Sequence, residues 1–204
     1  MIDVAFVKKW SAKYPVCYDE KNYDPYIKAA RAGDANALRK LTEWKNVGQG
    51  SAPTPIPFCR HRYKEQAFQV FLQGLPRYIE QDGQRHLQND FLKRAPVWSI
   101  FWCHVLFGTP IFDTYTNIAY HKDIKNKILS KKDAAPQPPN HWQIFDEYKD
   151  WFKQKVEALQ EADPNITERD LDRALVRWGK ELTKKSREKC STSTTCQRKD
   201  KPPL

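Results

Sequence analysis

Val97 to Tyr120 reads VWSIFWCHVLFGTPIFDTYTNIAY, and this stretch decides the fold. From Val97 to Phe107 apolar residues fall on every side of a helical projection, so the segment is expected to be a buried central helix. Gly108 suits the left-handed position that closes such a helix, and Pro110 prevents its continuation. Asp113, ahead of Thr114, Tyr115 and Thr116, is placed to cap the helix that follows. A buried helix, a tight return and one acid at a helix N-terminus make an arrangement able to hold a reactive charge.

Outward from this stretch the pattern stays helical. Ile2 to Trp10 reads as an opening helix and Tyr14 to Pro25 as a Pro-punctuated connector. Asp24-Pro25 starts a helix that ends at Gly33, and Asp34 caps another whose Leu38, Leu41 and Trp44 share a face. Tyr63 to Leu75, with Ala67, Val70 and Phe71 inward, ends at Gly74-Leu75-Pro76. Arg77 to Gln81 is read as a short helix stopped by Asp82-Gly83. The helix after Asp113 is expected to reach Leu129, and Ala134 to Pro139 forms a proline loop. Phe145, Tyr148, Phe152 and Leu159 make one amphipathic stripe, and Leu171, Leu175, Trp178 and Leu182 another. Thr167 and Asp170 form a capping pair before the last stripe, with Ile166 and Leu171 as its hydrophobic staple. No alternating strand pattern occurs. The fold class is therefore all-α, a compact helical bundle around residues 97–107. Residues 1–189 form its domain, either as one body or as two lobes with a cleft near 48–58, where GQGSAPTPIP excludes regular structure. Residues 190–204 read as a basic, disordered tail.

Charge points to a polyanionic partner. The chain has 204 residues and a net charge of +10. From Lys184 onward seven basic residues face two acids, a balance of +5 that leaves the body about +5 as well. Such a basic body suits nucleic acid. The five cysteines and five histidines are scattered, so neither a disulfide framework nor a metal centre is expected. The longest apolar stretch, Val97 to Phe107, is too short for a membrane span. Asp3, Lys8 and Lys9 disagree with a signal peptide, so a cytoplasmic monomer without cofactor or membrane contact is expected.

Pro110-Ile111-Phe112-Asp113 resembles the Pro-apolar-apolar-Asp motif of helix-hairpin-helix DNA glycosylases and their small relatives. Pro96-Val97-Trp98-Ser99 resembles the start of their buried helix, and Trp44-Lys45-Asn46 a Trp-Lys segment of the small relatives. The likeness covers roughly Trp44 to Tyr120. It implies that Asp113 is catalytic and that the partner is double-stranded DNA with one base extruded into a pocket. The family's hairpin glycines fall near Leu92 and Arg94, neither of which is Gly, so a hairpin at positive φ is not expected there. Members that also cut the backbone carry a lysine at the position of Pro96, which implies a monofunctional hydrolase here, with Lys93 as the nearest alternative. The four cysteines that hold an iron–sulfur cluster in some members are reduced to Cys190 and Cys196.

The chemistry fits one acid. Breaking an N-glycosidic bond builds positive charge on the sugar, and a fixed carboxylate stabilises it and orients water. Asp113 is the candidate catalytic residue. Lys93, Arg94, Arg60, Arg62, Lys64 and Lys45 are candidates for DNA contact. Trp44, Asn46, His61 and His104 are candidates for the base pocket, with His104 more readily read as a satisfied core residue. The expected activity is removal of a damaged or modified base, in repair or in defence against modified foreign DNA. Two alternatives stay open: a non-catalytic DNA-binding protein on the same fold, and a basic module that binds protein or RNA.

Overall fold

The computed structural model describes the backbone of residues 2–46 and 62–193, with side chains through Lys184 apart from residues 16–18. The described residues form eleven helices and no strand. They are α1 (Val4–Ser11), α2 (Val16–Asn22), α3 (Asp24–Arg31), α4 (Ala35–Lys45), α5 (Arg62–Tyr78), α6 (Gly83–Asp90), α7 (Pro96–Phe107), α8 (Thr114–Lys125), α9 (Lys131–Ala134), α10 (His141–Ala162) and α11 (Glu168–Ser193). The 48–58 segment lies outside the described residues, as does the tail from residue 194. The backbone is helical through Ser193, beyond the boundary expected at residue 190.

α7 is the centre of the molecule. Ser99 through Val105 are all buried, and the helix packs on α3, α6 and α10. Trp102 anchors it: its ring stacks on Phe71 of α5 at 4.4 Å and meets Phe91 edge-on at 5.3 Å. Its Nε1 donates to the Thr42 hydroxyl of α4 at 3.2 Å, which satisfies the one polar atom of the ring. One continuous apolar cluster runs from Val7 of α1 through α7 to Leu175 of α11. The stripes read from sequence enter it: Phe145, Tyr148, Phe152 and Leu159 are buried, as are Leu171 and Leu175. Thr167 and Asp170 make the reciprocal cap, and Ile166 and Leu171 are both buried beside it.

Four local expectations are corrected. The Tyr14–Pro25 connector contains α2, because buried Asp19 is clamped by Arg169 at 2.6 Å and Arg173 at 3.1 Å, two residues far away in sequence. α5 passes through Pro76 to Tyr78, with the Ile79 N–H still reaching the Leu75 carbonyl at 3.2 Å. The proline sits in the last turn, so the helix ends two residues beyond the N–H it lacks. Asp82-Gly83 starts α6 instead of stopping a helix. A Cβ at Gly83 would fall 1.8 Å from the Tyr78 carbonyl oxygen, so the glycine permits a close approach of two helices. α8 ends at Asn126, in the left-handed region at φ 49°, short of Leu129, and Ser130 caps the short α9. Asparagine tolerates that conformation better than most residues.

The turn between α6 and α7 also differs from expectation. It does reach positive φ, at Ala95 with φ 44° and ψ 47°, one residue beyond the expected glycine sites. A left-handed alanine costs roughly 1 kcal/mol. Ala95→Gly is therefore expected to raise stability by up to about 1 kcal/mol, read as a higher denaturant midpoint at unchanged slope. A lower midpoint would mean that the Ala95 methyl contributes more by packing than its backbone costs.

A second close approach fixes α11 to α8. A Cβ at Gly179 would lie 2.0 Å from the Tyr115 carbonyl oxygen, so only glycine lets these backbones meet. The two helices are in extensive contact.

Candidate functional site

After α7 the chain closes at Gly108, left-handed at φ 68°, and returns along the helix it has just left. The Thr109 carbonyl is hydrogen-bonded to His104 Nδ1, and Asp113 then begins α8. Its Oδ1 accepts the N–H groups of Tyr115 at 2.8 Å and Thr116 at 3.1 Å, while the Asp113 N–H reaches the Thr116 hydroxyl at 2.8 Å. This is a reciprocal capping box with threonine as the returning partner.

The other carboxylate oxygen, Oδ2, accepts Lys45 Nζ at 3.0 Å. Lys45 comes from the C-terminus of α4 and lies 5.6 Å from the Phe101 ring centroid of α7. Both partners are largely shielded, with side chains 13% and 19% exposed. Burial alone would raise the Asp113 pKa. The Lys45 ammonium and the two cap N–H groups outweigh it, and the carboxyl is held below its ordinary value. Asp113 is thus ionised at neutral pH in a partly dry place.

A second carboxyl was not singled out from sequence. Asp172 of α11 is buried and its Oδ1 has no hydrogen-bond partner. Desolvation, opposed by Arg169 and the Ile111 backbone and reinforced by the Asp113 charge, pushes its pKa up to about 7. One carboxyl that keeps its charge and one whose proton is lost only near pH 7 thus interact electrostatically, the kind of separation that acid–base sites use. The only hint in sequence was an acid three residues before Leu175, on the apolar face of α11. Because its folded pKa is raised, Asp172 contributes stability that is fully present below about pH 4 and is lost as pH rises towards about 7. Asp172→Asn is expected to flatten that decline and to gain a few kcal/mol above pH 7, roughly 1.4 kcal/mol per unit of the shift. Superimposable melting-versus-pH curves for variant and parent would show that Asp172 carries no such strain.

The expected base-pocket residues divide. Trp44 is buried against Tyr23 at 4.8 Å and Phe101 at 5.9 Å. His104 is buried, with Nε2 2.7 Å from the Tyr23 hydroxyl and Nδ1 on the Thr109 carbonyl. Desolvation pushes its pKa down to about 3, so it is neutral, and both ring nitrogens are committed within the protein. His61 and Arg60 lie outside the described residues. Lys45 and Asn46 follow Trp44; Asn46 is buried, and Lys45 is largely shielded beside Asp113 and the Phe101 ring.

The expected DNA-contact residues partly converge. Lys64 and Arg94, from α5 and the turn before α7, line one cavity of about 430 Å3 together with Tyr63, Val70 and Trp98. Tyr63 is 86% exposed, a large apolar ring at the rim. Lys64 donates to Asn46 Oδ1 at 2.6 Å, which connects this cavity through one residue to Lys45 and Asp113. Arg62 and Lys93 are exposed nearby in sequence. Lys45, not Lys93, is the lysine paired with Asp113. No family model, curated protein or solved structure matches the chain. No group of side chains suited to a metal ion occurs among the described residues, and no helix there is long and apolar enough to cross a membrane.

Proposed function

We propose that the chain is a DNA glycosylase of the helix-hairpin-helix type, which extrudes a damaged or modified base and hydrolyses its N-glycosidic bond. The observation that carries this reading is Asp113: an ionised carboxylate, shielded by the return of the chain along α7 and connected through Lys45, Asn46 and Lys64 to a cavity with an arginine and aromatic rings. As the C1′–N bond breaks, its electron pair leaves with the base and the sugar becomes cationic. A negative charge beneath the ring stabilises that cation; water then adds to C1′ and loses a proton. The α6–α7 turn, with its left-handed Ala95, supports the comparison with a hairpin, and Lys93 and Arg94 there are suited to phosphate. Lys45 Nζ is already engaged by the Asp113 carboxylate, and this contact favours hydrolysis over a covalent route through that amine.

A second reading rests on a specific observation. Both Asp113 oxygens are already occupied, by cap N–H groups and by Lys45, so the residue could serve structure alone and the protein could bind DNA without chemistry. Incubation with duplexes that carry different modified bases separates the two. Released base and abasic sites, converted to breaks only by alkali or heat, support the enzyme. Salt-sensitive duplex binding without release from any substrate supports the binder. A borohydride-trapped protein–DNA adduct would contradict hydrolysis and implicate Lys45 or Lys93.

A further inference from the structure

A second cavity, of about 380 Å3, opens where α1, α8, α9 and α11 meet. Lys13, Lys131, Arg177, Lys180 and Lys184 line it, against the single acid Glu181. None of these five cations forms an ion pair with an acid among the described residues. Arg177 Nε is buried without a hydrogen-bond partner. Burial, which opposes the charge, lowers the pKa of Lys180, and the nearby Asp113 carboxylate offsets part of that. Like charges gathered around one space are costly unless an anion joins them. None of this surface was expected from the sequence.

Two aromatic rings share the cavity. Trp10 carries Lys13 over its face at 4.3 Å. Tyr115 carries Lys131 at 5.0 Å and Lys180 at 5.4 Å, and its hydroxyl accepts Lys131 Nζ at 2.9 Å. Cations for phosphate beside flat rings for bases are what a single-stranded nucleic acid requires. The volume lies in the range that holds one small ligand. Position adds the link to Asp113: Tyr115 also gives its N–H to the Asp113 carboxylate, so one residue borders both places.

We propose that this cavity binds a nucleotide phosphate of the strand that delivers its base to Asp113, with the phosphate among Lys13, Arg177 and Lys180 and a flanking base against Trp10. The proposal rests on the glycosylase reading for its substrate, but its test does not use base release. The full chain is titrated with a short thymidine oligonucleotide, which contains no modified base, and with thymidine monophosphate, by fluorescence anisotropy and calorimetry. Lys13→Gln/Arg177→Gln is expected to weaken oligonucleotide binding at least about tenfold and to reduce the slope of log affinity against log salt by roughly one per cation removed. The circular dichroism melt serves as the folding control. Unchanged affinity and salt slope in a folded double variant would overturn the proposal. Binding of the monophosphate as tight as that of the oligonucleotide would also overturn it, in favour of a free-nucleotide site. Loss of oligonucleotide binding in the double variant upholds the cavity even if no modified duplex ever releases a base, so failure of the chemistry and failure of the cavity are told apart.

Discussion

Asp113→Asn is expected to lower base release at least about 100-fold, the scale on which removal of one fixed electrostatic partner from a reacting charge is felt. The amide oxygen still accepts the cap N–H groups, so α8 keeps its start. On the proposed glycosylase reading, the substitution removes the negative charge that would stabilise the sugar cation. The structure adds a cost: Lys45, shielded and now facing an amide, loses its ionic partner. A stability loss of about 1–3 kcal/mol is expected from that group, which leaves the domain folded at room temperature. Duplex affinity measured in the same preparation should persist. Full base release by the folded variant would reduce Asp113 to a helix cap. A variant that fails to fold is replaced by Lys45→Met/Asp113→Asn, in which no unpaired charge remains.

Lys45→Met is the second large effect, and it falls on stability. It leaves the Asp113 carboxylate shielded with only cap N–H groups, and breaking one side of a buried pair costs about 3 kcal/mol. The pKa of Asp113 should rise, since the ammonium is the main influence that opposes desolvation. A depressed folded pKa gives stability that is present above the unfolded value and lost as pH falls through the folded one. The parent therefore loses this contribution only in strong acid, whereas the variant should lack most of it at every pH. The acid limb of any activity should move upward in pH. Adding Asp113→Asn should restore part of the loss, because no lone charge is left. Denaturant midpoints of the four proteins close the cycle, and a coupling under about 0.5 kcal/mol would mean that the two groups act independently.

The helices were legible wherever their signal is local. Asp34, Asp113 and Thr167 cap as their side chains suggest, and α7 is buried on all sides as its composition demands. What was not legible depends on partners distant in sequence. α2 exists because Asp19 meets Arg169 and Arg173, about 150 residues away. Gly83 reads as a terminator until the Tyr78 carbonyl is found against it. Asp113 could be chosen from its motif, but its pairing with Lys45 across 68 positions, and its electrostatic contact with Asp172, come only from the fold. The cations of the second cavity come from α9, α11 and the flank of α1, so no run of sequence displays them.

Gly179 gives the fold a consequence of another kind. With the backbones of α11 and α8 in contact at Tyr115, the cap carboxylate and the wall of cations are mounted on one stiff block. If a strand binds as proposed, their separation is a fixed gauge for it, set by bare main chain instead of by adjustable side chains. A polymer whose sugar-to-phosphate spacing departs from that gauge cannot be met by rocking one helix on the other. Any side chain at position 179, however small, would recalibrate the instrument.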